Sequence, residues 1–188
     1  MIRSLIFRLQ YCYYKLFKRN LKLKGFCVIF SFPGSCIKLR GGGKINSSFT
    51  SNMLGLWQRT IMVARYGGRI EIGDGFGISG STIYAYDSIT IGKNATIGAN
   101  CKIIDNDFHP LNPEQRRLGL NKEYTRRAPI VIGDNCFIGM NSIILKGTRI
   151  GNNVIVGAGS VVQGAFPDNC IIAGNPAKVI RQLDREGA

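Results

Sequence analysis

Aliphatic residues recur along much of the chain at a spacing that fits neither a helix nor a plain strand. Ile72 and Ile78, then Ile91, Ile97 and Ile103, then Ile132, Ile138, Ile144, Ile150, Val156 and Val162 follow a step of six, with one extra residue between Ile78 and Ile91. Helices repeat at 3.6 residues and strands at two. A step of six suits a short strand and a turn, repeated, with three steps closing one triangular coil of a parallel β-helix. The aliphatic residue points inward at each step, and stacked coils share backbone hydrogen bonds at strand spacing, about 4.8 Å. Glycine follows in Ile72-Gly73, Ile91-Gly92, Ile97-Gly98, Ile132-Gly133, Ile138-Gly139, Ile150-Gly151 and Val156-Gly157. These glycines are expected to supply corner conformations that a side chain would strain. The fifth hexad position is small, at Ala95, Cys101, Cys136, Ser142, Thr148 and Ser160. Cys101 and Cys136 therefore read as stacking residues rather than nucleophiles.

Upstream the spacing changes. Over residues 2–19, Ile2, Leu5, Ile6, Leu9, Tyr13, Leu16 and Phe17 fall three or four apart, which predicts an amphipathic helix. Arg8, Lys15, Lys18 and Arg19 lie opposite, and Phe7, Tyr11 and Tyr14 flank the stripe. Such a helix packs its stripe on the main domain or a partner subunit, or lies on an anionic membrane surface. Residues 25–69 hold short strand-like runs punctuated by Pro33-Gly34, Gly41-Gly42-Gly43 and Gly67-Gly68. The chain thus divides into a basic amphipathic helix at 1–24, an irregular or early coil region at 25–69, a β-helix at 70–176 and a tail at 177–188.

The ladder stops at Ile103-Ile104 and resumes at Ile130, and the loop at 105–129 opens with Asp105-Asn106-Asp107-Phe108-His109-Pro110. A solenoid gains nothing from so long an excursion, and long loops are commonly functional. This one carries the single histidine of the chain, together with Arg116, Arg117, Arg126 and Arg127. Imidazole is suited to accept a proton near neutral pH, so His109 is the candidate general base.

Charge is uneven over the 188 residues. Residues 1–70 hold 13 Lys and Arg and no acid, and the remainder 12 against 11, so nearly all of the net +14 belongs to the first third. A nucleic-acid footprint over the whole surface is not indicated, and no nucleic-acid partner is expected. No run approaches the ~18 apolar residues of a membrane span. The six cysteines lack C-x-x-C and metal-ligand spacing, and the start lacks the build of a signal peptide. The expectation is a cytoplasmic protein with reduced thiols, at most peripheral to the inner face of the membrane.

These residues resemble the hexapeptide-repeat acyltransferases, which include maltose/galactoside O-acetyltransferases and O-acetyltransferases of capsule and lipopolysaccharide synthesis. Three features carry the likeness, from about Gly68 to Arg181: the repeat, the loop DNDFHPLNPEQRR, and the ending GAGSVV…AGNPAKVIR. The resemblance implies a mainly β protein, a left-handed parallel β-helix with an N-terminal amphipathic helix and an inserted catalytic loop. It implies a homotrimer with active sites between neighbouring prisms, acetyl-CoA as co-substrate, a sugar or glycan acceptor, and no metal. His109 matches the catalytic histidine of the family; it would deprotonate an acceptor hydroxyl, which attacks the thioester without an acyl-enzyme. A backbone N–H would stabilise the oxyanion, and one groove holding both substrates would supply proximity. Asp105, Asp107 or Glu114 would orient the ring, and Asn106, Arg116 and Arg117 would meet the acceptor. Gly139, Ala158 and Ser160 would follow the pantetheine arm, and Lys178 and Arg181 the nucleotide phosphates.

Two departures stand out. Gln163-Gly164 replaces a Thr-Lys pair common in relatives, which removes one phosphate contact. Gly80-Ser81 stands near where the maltose/galactoside enzymes place an acceptor-binding Asn, so the acceptor is expected to be held differently. The same base would serve N-acetylation of an amino sugar nucleotide or a small amine or serine acceptor. Zinc chemistry of the carbonic-anhydrase type needs three histidines per site, and one His per chain argues against it.

Overall fold

The computed structural model describes residues 2–17 and 20–183, and after the N-terminal helix α1 (Ile2–Phe17) the chain winds into coils of short strands. The first coil is β1 (Leu21–Lys24), β2 (Val28–Ser31) and β3 (Cys36–Leu39), and the second is β4 (Gly43–Asn46), β5 (Ile61–Ala64) and β6 (Arg69–Ile72). Then come β7 (Phe76–Ser79), β8 (Thr82–Ala85) and β9 (Ser88–Ile91), followed by β10 (Thr96–Ala99), β11 (Lys102–Ile104) and β12 (Ile130–Ile132). Two tighter coils follow: β13 (Phe137–Ile138), β14 (Ile143–Leu145) and β15 (Arg149–Ile150), then β16 (Ile155–Val156), β17 (Val161–Val162) and β18 (Ala165–Phe166). β19 (Cys170–Gly174) opens a last turn, and β20 (Ala177–Gln182) folds back antiparallel along it. Every third strand joins the same parallel sheet, which gives a three-sided prism.

The expected β-helix is present, and it begins at Leu21. The early coils escape the six-step ladder because their strands start at residues 21, 28, 36 and 43, in steps of seven and eight. Residues 47–60 also leave the prism between β4 and β5. At the other end, residues 177–182 of the expected tail are a strand, while 184–188 lie outside the described residues.

Inside the prism the ladder is literal. Ile45, Ile78, Ile97, Ile138, Val156 and Ile172 stack in register up the first sheet, and all are buried. Each such side chain contributes about 1.5–3 kcal/mol of burial. Cys101 and Cys136 are buried stacking residues, as their hexad position implied; their thiols reach the Gly139 and Gly151 carbonyls of the next coil at 3.1 Å.

The glycines after the ladder residues work differently from the expectation. None of the seven has a positive φ. They are needed because coils approach too closely for a Cβ: one on Gly139 would lie 2.6 Å from the Ala158 nitrogen, and one on Gly98 2.8 Å from the Ile138 carbonyl. The left-handed corner belongs to asparagine, at Asn94, Asn135, Asn153 and Asn169, with φ of 55° or 56°. Asparagine tolerates that region, and these four side chains bond in series at 3.1, 3.1 and 2.8 Å.

α1 lies on the first coil with its flanking aromatics inward. Phe7 meets Phe30 edge to face and Tyr11 meets Phe26, both at 5.2 Å. Edge-to-face pairing rewards aromatic against aromatic, and Phe26 and Phe30 line the available wall. Ile6, Leu9, Tyr13 and Leu16 of the predicted stripe are consequently exposed; the side chains of Ile2, Leu5, Phe17, Lys18 and Arg19 lie outside the described residues. Among the described residues no helix is long and apolar enough to cross a membrane.

Candidate active site

The loop at 105–129 leaves the prism between β11 and β12 and is built to present one residue. Its two arms zip together through Asp107 N–H to the Arg126 carbonyl, 3.1 Å, and Ala128 N–H to the Asp105 carbonyl, 3.0 Å. Asp105 anchors it from within: its buried carboxylate accepts the backbone N–H groups of Tyr86 and Asp87 at 2.7 and 2.8 Å. Burial pushes the Asp105 carboxyl above its ordinary value, against the pull of those hydrogen bonds. Asn106 is buried, donates to Asp105 at 3.0 Å and accepts the Phe108 N–H at 2.9 Å. Asp107 pairs with Lys146 at 2.5 Å.

Phe108 takes a left-handed φ of 60°, a conformation that costs a bulky residue of order 1–3 kcal/mol. Its ring is held by Tyr84 and Tyr86 at 5.0 and 6.0 Å. Burial, and then Tyr84, push the Tyr86 phenol up to about 12, which keeps it neutral beneath the loop. The strained turn at Phe108 throws the next residue, His109, outward into solvent. The imidazole Nδ1 lies 3.1 Å from Asn121 Oδ1. An amide oxygen only accepts, so Nδ1 carries the hydrogen and Nε2 is left with its lone pair.

Two short helices complete the loop, α2 (Pro113–Arg117) and α3 (Asn121–Tyr124). Asn112 caps α2 by accepting from the N–H groups of Glu114 and Gln115. Arg116 donates to the carbonyls of Pro110 and Leu111 at 2.9 and 2.5 Å, which braces the turn after His109. Arg117 pairs with Glu114 at 2.5 Å on the surface.

Within this chain the carboxylates of Asp105, Asp107 and Glu114 are bonded elsewhere, and the polar atom beside the His109 ring is the Asn121 oxygen. Asn106 donates to the Asp105 carboxylate and accepts the Phe108 N–H, Arg116 donates to the Pro110 and Leu111 carbonyls, and Arg117 pairs with Glu114. Asn121 and Phe108 escaped the sequence reading. The signal that could have found Phe108 was a bulky residue directly before the lone histidine, but only backbone geometry shows its φ.

A groove of about 520 Å³ runs up the first sheet and its corner with the second. Gly77, Gly98, Gly139 and Gly157 line it, with Ala158, Met140 and Leu54. Gly98, Gly139 and Gly157 leave a strip of bare backbone along it, beside Thr96, Phe137 and Ile155, a surface suited to a narrow, extended chain carrying amide groups. Gly139 and Ala158 thus belong to the groove. Ser160 does not: it is buried, donates to the Gly157 carbonyl at 2.6 Å and accepts from Gly174 N–H at 3.2 Å. Lys178 and Arg181 are exposed on β20, two strands beyond β16 in the sheet that carries the groove. At the Gly80-Ser81 corner, Ser81 donates to the Ser79 and Gly98 carbonyls, and the Gln58 amide donates to the Gly80 carbonyl at 2.5 Å. Neither corner group is offered to a ligand.

Within one chain no residue of the His109 loop lines the groove. The loop departs from the edge between the second and third sheets, and the groove lies on the first sheet and at its corner with the second. One outward column of the intervening second sheet is apolar: Phe30, beneath Phe7 of α1, then Val63, Tyr84, Ile104 and Leu145 in register, while the other column holds Thr82 and Lys102. The equivalent column of the third sheet holds Lys38, Glu71, Thr90, Val131 and Arg149.

Comparison with known proteins gives a consistent result. The family model described as the hexapeptide repeat of succinyl-transferase matches residues 79–103 and 129–163. WbbJ of Escherichia coli (strain K12), whose name assigns it provisionally to lipopolysaccharide biosynthesis O-acetyl transfer, is 32% identical over 181 residues, covering 92% of this chain and 84% of its own. The structure of a maltose O-acetyltransferase from Clostridium difficile 630 superposes with a TM-score of 0.62 at 29% identity, over 81% of this chain and 71% of that one. A hexapeptide-repeat acetyltransferase of Vibrio cholerae O1 biovar eltor, solved in complex with acetyl coenzyme A, superposes with a TM-score of 0.58 at 25% identity, over 91% and 74%.

Proposed function

This chain belongs to the hexapeptide-repeat acyltransferases, left-handed β-helix enzymes, and is an acetyltransferase; from that premise we propose that it moves the acetyl group of acetyl-CoA to a hydroxyl of a sugar or polysaccharide precursor, with His109 as general base. The observation that carries the reading is the exposed His109 imidazole, tethered at Nδ1 by Asn121 and free at Nε2. Nε2 takes the proton of the acceptor hydroxyl as its oxygen bonds to the thioester carbonyl carbon. The carbonyl becomes a tetrahedral oxyanion, stabilised by a backbone N–H. When it collapses, the carbon–sulfur bond breaks, the acetyl ester forms, and the imidazolium returns its proton to the departing thiolate. No acyl-enzyme is required.

The glycine-lined groove supports binding of the pantetheine arm, with Lys178 and Arg181 on the strands beyond it available to the nucleotide phosphates. The V. cholerae relative bound to acetyl coenzyme A favours the same co-substrate. The protein works as a homotrimer. The apolar column of the second sheet is the surface a neighbour would cover, and an assembly across it can bring the His109 loop of one chain to the groove of the next. The test is release of CoA thiol from acetyl-CoA across a panel of sugars and glycan fragments, for wild type and His109→Ala. Hydroxyl-dependent thiol release lost in the variant is expected; equal release by both would overturn the assignment of the base.

A further inference from the structure

We infer that the N-terminal end of the prism docks on an anionic phospholipid surface through α1 and the neighbouring Trp57–Arg59 segment. The aromatic side of α1 is spent on Phe26 and Phe30 of the first coil. Ile6, Leu9 and Leu16 are left 38%, 61% and 67% exposed, and steps of three and seven keep them on one side of the helix. Ile6 still leans on a groove beside Phe30 and Val63, but Leu9 and Leu16 stand mainly in water, and an apolar patch left there marks a docking surface.

Charge identifies the occupant. Arg8 and Arg59 line one pocket of about 560 Å³ with Phe7, Phe26 and Val28. Among the described residues neither guanidinium forms an ion pair. They belong to a segment of 70 residues with 13 Lys and Arg and no acid. A second copy docking through the same patch would bring the same positive charge to the contact and be repelled. Nucleic acid would use the arginines and leave Leu9 and Leu16 in water. An anionic leaflet satisfies both features, since basic side chains sit at the headgroups while the aliphatic ones enter the acyl boundary. Trp57, 70% exposed, shares a second pocket with Phe26 and Arg59, and tryptophan favours that interface. The inference does not depend on the acetyl-transfer reading.

Trp57 is the single tryptophan of the chain, so its fluorescence reports the contact. The full-length protein is titrated with vesicles of phosphatidylglycerol and phosphatidylcholine in equal parts, and with phosphatidylcholine alone. Expected is a blue-shifted Trp57 emission and co-sedimentation with the anionic vesicles only, weakened by added salt. Leu9→Glu and Leu16→Glu, exposed positions that leave folding intact, each weaken binding about ten-fold or more, and Arg8→Glu weakens it too. Thiol release with a soluble acceptor stays unchanged in all three. Three results would overturn the inference: no binding to anionic vesicles; binding unaltered in Leu9→Glu while that variant changes the oligomeric state, which makes a second copy the occupant; or retention on duplex DNA indifferent to Leu9→Glu, with vesicles ignored.

Discussion

The Nδ1 of His109 lies 3.1 Å from the Oδ1 of Asn121, twelve residues further along the same loop. The contact selects the tautomer and fixes the ring plane, two conditions a general base needs before its basicity matters. On the proposed mechanism Asn121 is a positioning residue. Asn121→Ala is expected to lower kcat by up to about 100-fold, the scale of a misplaced reacting group, with KM for acetyl-CoA little changed. Asn121→Asp keeps an acceptor in place and should retain more turnover than the alanine variant. Steady-state kinetics on the three proteins decide it, and equal kcat values would remove the role.

His109→Ala should cut turnover by about 10²- to 10⁴-fold, the usual contribution of a general base. The side chain is exposed, so the melting temperature should stay within experimental error of wild type. A large drop in that temperature would mean that the ring supports the loop, and the kinetic loss could then not be read as chemistry.

Asp105 sits at the root of the same loop in a structural role. Asp105→Ala orphans the buried N–H groups of Tyr86 and Asp87, at about 1–3 kcal/mol each. Asp105→Asn keeps the shape without the titration. Because burial raises the Asp105 carboxyl, the folded protein holds that proton more tightly than the unfolded chain. Its contribution is full below the ordinary carboxylate range and is lost as pH rises through the raised value. The melting temperature of Asp105→Asn minus that of wild type should therefore grow as pH climbs through that window. A difference independent of pH would contradict the burial argument.

Two groove glycines separate fold from ligand. A Cβ on Gly139 would lie 2.6 Å from the Ala158 nitrogen, whereas one on Gly77 would meet nothing within 4 Å. Gly139→Ala should destabilise the prism by about 1–3 kcal/mol through overpacking. Gly77→Ala should leave the melting temperature alone and raise KM for acetyl-CoA. Denaturant titration and initial rates, run in parallel, test the pair; an unchanged KM in Gly77→Ala would place the pantetheine arm elsewhere.

The repeat was readable because burial enforces it. Ile97, Ile138 and Val156 must face inward at every turn, so the six-step spacing survives in the sequence. The coils from Leu21 to Ile72 obey the same physics, but corners of unequal length blur the period. His109 stood out as a lone imidazole in a loop that the solenoid did not need. Its support did not, because Asp105, Asp107, Asn106 and Asn121 are all polar residues of one loop, and only the folded backbone decides which touches which. α1 misled for a related reason: helical spacing identifies an apolar face without saying what the neighbouring wall offers, and Phe26 and Phe30 accept aromatics.

The separation of His109 from the groove predicts how subunits must cooperate. Leu145→Glu puts a charge on the apolar outer column of the second sheet, beside Ile104. It should lower the oligomeric state in light scattering while the coil still folds, and activity should fall with assembly. A mixing experiment is sharper. His109→Ala lacks the base, and Gly77→Leu fills the groove from a position where an added side chain has room. Neither protein alone should turn over. For the proposed trimer, random mixing leaves about a quarter of the interfaces with an intact loop beside an intact groove, so activity should return to roughly that level after joint refolding or co-expression. If base and groove served the same chain, every site would carry one defect or the other, and mixing would restore nothing.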